Sequence, residues 1–310
     1  MMVPVALLLL GILTSVAAPR LLARADWPDR EPVVALWAWQ CVVAAVLLCC
    51  ALSMTLSAAA AWQAVRGQLF SGAPHGVAEA YALGAAGPWA APTAVALGCA
   101  GLWSLTMLVG EVLHARRGRR VRRAELLERA PLLPGEETGG RLVVLEGDRP
   151  DAYWLPGTTP QLVVTTGALR RLKGSRLDAL LAHEQDHARF RHDWLLHCSA
   201  ALAGGFPRIP VFAAFRDEMH RLVELAADDT ASRRFGRITT ALALVDLNED
   251  RGVFGPSPTP HSQLPRRVDR LLTAPPRLPV PHRLRLTATA ALVPVLPVLV
   301  ALVPGLRALH

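Results

Sequence analysis

The sequence predicts an α+β protein: a multi-span α-helical membrane portion with a domain of one small sheet plus helices inserted between the third and fourth spans. Three observations predict it. Of the 310 residues, 52% are hydrophobic and only 19% are charged, whereas a soluble domain is usually about 25% charged. Four stretches without a charged residue, 1–19, 32–65, 80–110 and 286–306, are each long enough to cross ~30 Å of hydrocarbon. Between the last two lies a more polar segment, 116–285, long enough for one domain, in which strand-like runs precede helical ones. The chain divides accordingly into 1–115 with three spans and short loops, 116–285 with the inserted domain, and 286–310 with the last span. This balance excludes a disordered or collagen-like chain and a typical soluble enzyme.

The spans come first. The opening stretch ends in Ser15-Val16-Ala17-Ala18, which resembles a signal-peptide cleavage site, but it lacks a positive leader, so an uncleaved span is expected. Trp62 and Trp89 flank the loop between the second and third stretches, as interfacial anchors do. The formal charge of +8 is carried almost wholly by arginine. Arg20, Arg24 and Arg30 fall in the first loop, and only Arg66 in the second. Six arginines crowd residues 116–123, and Arg277, Arg283 and Arg285 precede the fourth span. The positive-inside rule then places both termini outside and residues 116–285 in the cytoplasm, in a multi-pass cell-membrane protein. Directly beside a span, the arginine run is expected to meet lipid headgroups, so membrane lipids are expected partners and nucleic acid is not. Cys41, Cys49, Cys50, Cys99 and Cys198 show no CxxC spacing, and four lie in long apolar runs. They read as small apolar residues rather than a disulfide frame.

Within 116–285, residues 141–146 and 161–166 are strand-like, with Ala152-Tyr153-Trp154-Leu155 between them and Pro156, Gly157 and Pro160 marking the turn. Ser175, with Asp178 three residues on, forms a capping-box-like start to a helix that the pattern carries past Asp193. A second helix begins at Pro210, which suits a first helical position, and ends near Gly236. The apolar stretch between them, 194–215, is broken by Gly204, Gly205 and Pro207. It is expected as a hairpin, packed in the core or dipping into the membrane with Arg208 at an interfacial tip.

The first helix carries His183-Glu184-Gln185-Asp186-His187. Residues four apart share a helix face, so both imidazoles can grip one ion, with Glu184 beside them to reach a water on it. A catalytic zinc needs a third protein ligand. On the second helix Glu224 and Asp228 are again four apart. Glu224 is the expected ligand, and Asp228 the acceptor that orients a ligating histidine. His220, on the same face, is the rival ligand, but choosing it leaves Glu224 unexplained. Asp229 is expected in solvent, and His192 and His197 to be structural, since neither completes ligand spacing.

These residues resemble the M56 family of membrane zinc metallopeptidases, which includes the protease part of the BlaR/MecR antibiotic sensors and is related to the M48 HtpX-like and CaaX-type proteases. The resemblance rests on 180–187 with the HExxH sequence, on Glu224 through Asp228, and on 152–157 and 162–167. Residues 261–268 resemble an HPxxxxRI motif, with Ser262 in place of the proline. The resemblance implies a zincin-like fold, Zn2+ on His183, His187 and Glu224, and Glu184 as base. The antibiotic sensors carry a penicillin-binding domain after the last span. Here only Arg307 to His310 follow, so antibiotic sensing is not expected.

The expected function is regulated cleavage of a protein or peptide substrate by a zinc endopeptidase, in signalling or quality control. A transcriptional repressor is a direct or indirect target the resemblance allows. Arg267 or His261 is the expected oxyanion stabiliser, and a substrate strand is expected to pair beside Ala152, Tyr153, Trp154 and Leu155. The alternative is a non-catalytic membrane signalling or scaffold protein that keeps a structural zinc site; an intact Glu184 argues against it.

Overall fold

A computed structural model describes residues 2–66, 141–155, 161–248, 263–273 and 275–307, together with scattered positions between 96 and 124, all of them helical. It is mostly helical, with one small mixed sheet. Helix α1 (Met2–Ala23) and helix α3 (Pro32–Arg66) are joined by the single turn α2 (Trp27–Arg30). Proline starts both later helices cheaply: Pro28 lies in the first turn of α2 and Pro32 opens α3, where a missing N–H breaks no bond. Within them Val3–Ala23 and Pro32–Ala59 have mean hydropathies of 2.0 and 2.3 and are long enough to cross a membrane. The last expected span is bent. Helix α10 (Val280–Leu292) and helix α11 (Val295–Arg307) meet at 46°. Pro294, at the break, removes a backbone donor and clashes with the preceding turn. Of the third expected span, 80–110, only a few positions are described.

The sheet has the order β1-β3-β2, from β1 (Arg141–Leu145), β2 (Ala152–Leu155) and β3 (Gln161–Thr165). Central β3 runs parallel to β1 and antiparallel to β2, and Leu162, Val163 and Val164 are buried. A short helix α4 (Thr166–Arg171) follows, capped by the Thr165 hydroxyl, which accepts from the Ala168 N–H at 3.2 Å. Gly167 is required here: a Cβ would lie 2.3 Å from the Asp148 carbonyl oxygen, where the chain folds back across β3.

Two helices then build the centre of the molecule. Helix α5 (Ser175–Arg189) begins one residue earlier than the capping-box reading allows. Gly174, at φ 57°, is the N-cap, and Ser175 is already helical, with no side-chain cap bond. Nor does α5 run past Asp193. It stops at Phe190, and Arg191 takes a left-handed conformation, φ 53° and ψ 41°, that starts helix α6 (His192–Gly205) in a new direction. Helix α7 (Pro210–Phe235) begins and ends as the sequence predicts, with Gly236 as its C-cap at φ 89°. Helix α8 (Arg237–Asn248) and helix α9 (Gln263–Thr273) complete the domain.

Two cores hold these elements. Ala152, Val164, Leu172, Leu180, Ala243 and Leu247 join the sheet to α5 and α8. Trp39, Val42 and Val46 of α3 pack with Leu202 of α6 and with Phe212, Phe215, Met219 and Leu222 of α7. Burying each of these large side chains contributes roughly 1.5–3 kcal/mol. The stretch expected as a hairpin is therefore the α6–α7 pair, laid against the first half of an apolar helix. Gly204 and Gly205 lie beside Glu111 and Met107, where added Cβ atoms would make only ordinary contact at 3.4 and 3.5 Å.

Candidate metal centre

Helices α5 and α7 cross where their polar faces meet. His183 and His187 project from one face of α5, and Glu224 meets them from α7. The two Nε2 atoms are 3.2 Å apart, and Glu224 lies 3.5 Å from His183 Nε2 and 3.6 Å from His187 Nε2. Tetrahedral zinc holds ligands at ~2.0–2.1 Å, which separates them by about 3.3 Å. Glu224 meets the two rings with different oxygens, Oε2 towards His183 and Oε1 towards His187, and one ligand atom from each residue lies within 4.8 Å of the others, close enough to hold a single ion. Two imidazoles and a carboxylate are also a donor set suited to zinc. His220, the rival ligand, is not part of this cluster.

Each histidine is held from its far side. His183 Nδ1 lies 3.1 Å from Asp228 Oδ1. The ring is turned so that its N–H does not aim at the oxygen, so the contact is an ion pair rather than an aligned hydrogen bond. His187 Nδ1 lies 3.0 Å from Nδ1 of His192, whose ring is buried. The spacing argument missed His192, because a residue five positions on in an unbroken helix would not face His187. The turn at Arg191 brings it there.

Behind the cluster stands Arg267 of α9, 5% exposed. Its Nε and Nη2 donate to Asp228 Oδ2 and Oδ1 at 2.8 and 2.7 Å, and its Nη1 lies 2.7 Å from Glu224 Oε2. All three nitrogens therefore hold carboxylate oxygens, and the oxyanion role expected of Arg267 gives way to positioning of the ligand shell. His261, the other candidate for that role, lies outside the described residues. Asp229 is not in solvent as expected: it pairs with Arg270 at 2.8 Å and Arg277 at 3.2 Å. His197 faces the Asp193 carbonyl of its own helix.

The electrostatics divide by residue. Burial opposes charge on His183, but Asp228 and Glu224 outweigh it and push the imidazole up to about 10. Burial holds His187 down at about 3 and His192 at about 4, against the attraction of Glu224. Burial would raise Glu224 and Asp228, yet Arg267 keeps Glu224 well below the ordinary carboxylate range and Asp228 at about 2. Glu184 is half-buried, beside His183. Burial lifts it to about 7, with Glu224 and Asp151 adding to the rise and His183 opposing it. The backbone N–H of Trp154 opposes the rise weakly. Ala152, Tyr153, Trp154 and Leu155 form β2, an edge strand of the sheet that contacts α5.

Comparison with protein-family models, curated proteins and solved structures gives no match for this chain. The cluster must therefore be read from its own geometry.

Proposed function

We propose that the chain is a membrane-embedded zinc-dependent endopeptidase of the M56 type, with a zincin-like domain facing the cytoplasm. The observation that carries this reading is the His183–His187–Glu224 cluster, close enough to hold one metal ion, with the Glu184 carboxylate beside it raised to about 7. When bound, zinc polarises a carbonyl and makes water a stronger acid. His183, His187 and Glu224 would hold the ion, and Glu184 would stand beside it to exchange protons with water. Glu184, near the pH at which a general base works best, takes the water's proton on its carboxylate and returns it to the leaving amine. The outer edge of β2 offers backbone groups to an extended peptide, which favours a protein or peptide substrate lying beside the membrane. A transcriptional repressor is one such target.

The test is Glu184→Gln. This variant is expected to keep its zinc by metal analysis and to lose cleavage, so that protein fragments present in wild-type cells vanish from cells carrying it. Fragments that persist unchanged overturn the reading in favour of a scaffold with a structural zinc, which has no use for a base at this position.

A further inference from the structure

A second polar site lies beside the metal cluster, lined by Asp229 and Arg233 of α7 and by Arg270 and Leu271 of α9. A cavity of about 240 Å³ is lined by Arg30, Arg233, Arg237, Arg270 and Arg277, with Asp229 as the one carboxylate among its lining residues. Asp229 is already shared between Arg270 and Arg277. Arg30 spends its Nε on the Pro276 carbonyl at 2.7 Å, which leaves its other nitrogens for the cavity. Arg233 donates to the Thr230 hydroxyl and acts on Asp186 only through longer-range charge, and neither it nor Arg237 forms a salt bridge among the described residues. Arg237 also opens α8, whose first turn carries no acidic residue, so the partial positive charge of that helix end adds to the same space.

Five guanidiniums around so small a cavity repel one another, and a single carboxylate cannot balance them. An anion with several oxygens can, since each guanidinium presents a planar fork of donors. The volume admits one phosphate-sized group and not a nucleic-acid strand. The position points to where such a group comes from. Arg30 belongs to the turn between the two apolar helices, and Arg277 stands three residues before the bent apolar pair. The cavity therefore lies at the ends of the helices suited to cross a membrane, at the level where lipid phosphates lie.

We propose that this pocket binds a phosphate group, presented by an anionic lipid headgroup at the membrane face. The proposal does not depend on the metal cluster or on catalysis.

The experiment uses the full chain in a nonionic detergent and calorimetric titration with three probes: short-chain phosphatidic acid, inorganic phosphate, and short-chain phosphatidylcholine. Wild type is compared with Arg233→Ala/Arg237→Ala, two exposed positions. Phosphatidic acid is expected to bind best, and the variant to bind it about tenfold more weakly or worse. Equal affinity for inorganic phosphate supports the phosphate pocket and makes its ligand a soluble anion rather than a lipid. Equal affinity for phosphatidylcholine, or unchanged affinity in the variant, overturns the proposal. Should the variant unfold, salt on the wild type decides: binding that does not weaken from low to high ionic strength also overturns it.

Discussion

The two histidines of the metal cluster sit one helical turn apart in opposite surroundings. His183 backs onto Asp228 and through it onto Arg267, an ionic chain closed to solvent. His187 backs onto His192, a neutral ring held in place by a turn. The difference decides how each ligand is made ready for a cation. A proton on His183 balances the two carboxylates beside it, and a divalent ion takes over that duty by displacing the proton. His187 needs no such exchange, because burial already keeps it neutral. One side of the cluster stores charge, and the other stores orientation.

The largest effect comes from breaking the charged side. Arg267→Met leaves Glu224 and Asp228 buried without their cation. Removing one partner of a buried ion pair costs ~3–5 kcal/mol. The chelated variant is expected to unfold at markedly lower denaturant than chelated wild type, and zinc is expected to restore part of the loss, because its charge replaces the arginine's. Equal denaturation midpoints in the two chelated proteins would show that Arg267 does not hold this side together.

The two sides also predict opposite pH limbs for the chelated protein. His183 is raised from its ordinary 6.5 to about 10, so its stabilising contribution is complete below 6.5 and is lost as pH rises through 10. His187 and His192 are depressed from 6.5 to about 3 and 4, so their contribution is present above 6.5 and is lost as pH falls through those values. Glu184, raised from 4.5 to about 7, runs against the acid limb, which is therefore read in Glu184→Gln. A shift of even two units corresponds to ~3 kcal/mol, so both limbs should be visible in denaturation curves. Zinc is expected to abolish the alkaline limb, since the proton lost there is one the ion has already displaced. An alkaline limb that survives zinc loading would contradict the exchange.

How much of this the residues reveal in advance depends on whether the signal is periodic. The pairing of His183 with His187 was legible, because positions four apart on a helix must share a face, and α7 was legible from Pro210 to Gly236. The three strands and two long apolar helices, within 1–23 and 32–66, were legible as well. The end of α5 was not. The pattern runs unbroken through Ala188, Phe190 and Trp194, and the chain turns at Arg191, a residue with no preference for the left-handed region it occupies. His192 as the partner of His187 is invisible for the same reason, since it exists only because of that turn. Arg267 was noticed, but its partners were not, because they lie on another helix 39 and 43 residues earlier. The pairing of Asp229 is tertiary in the same way, and nothing in the spacing of α7 reports it.

The last comparison is read at the metal itself, in two variants that keep all three residues of the cluster. Asp228→Asn and His192→Gln each remove the group behind one histidine, and loss of such a partner typically weakens metal binding 10–100-fold. The two should differ in size and in proton count. Asp228→Asn removes a charge that raises His183, so the variant is expected near the hundredfold end and to release fewer protons on binding zinc at pH 7. His192→Gln replaces one neutral partner by another that can still accept from His187 Nδ1, so about tenfold is expected with proton release unchanged. Zinc titration in two buffers of different ionisation enthalpy reads both quantities at once. If the two variants lose the same number of protons, the division of labour between the histidines is wrong, whatever their affinities.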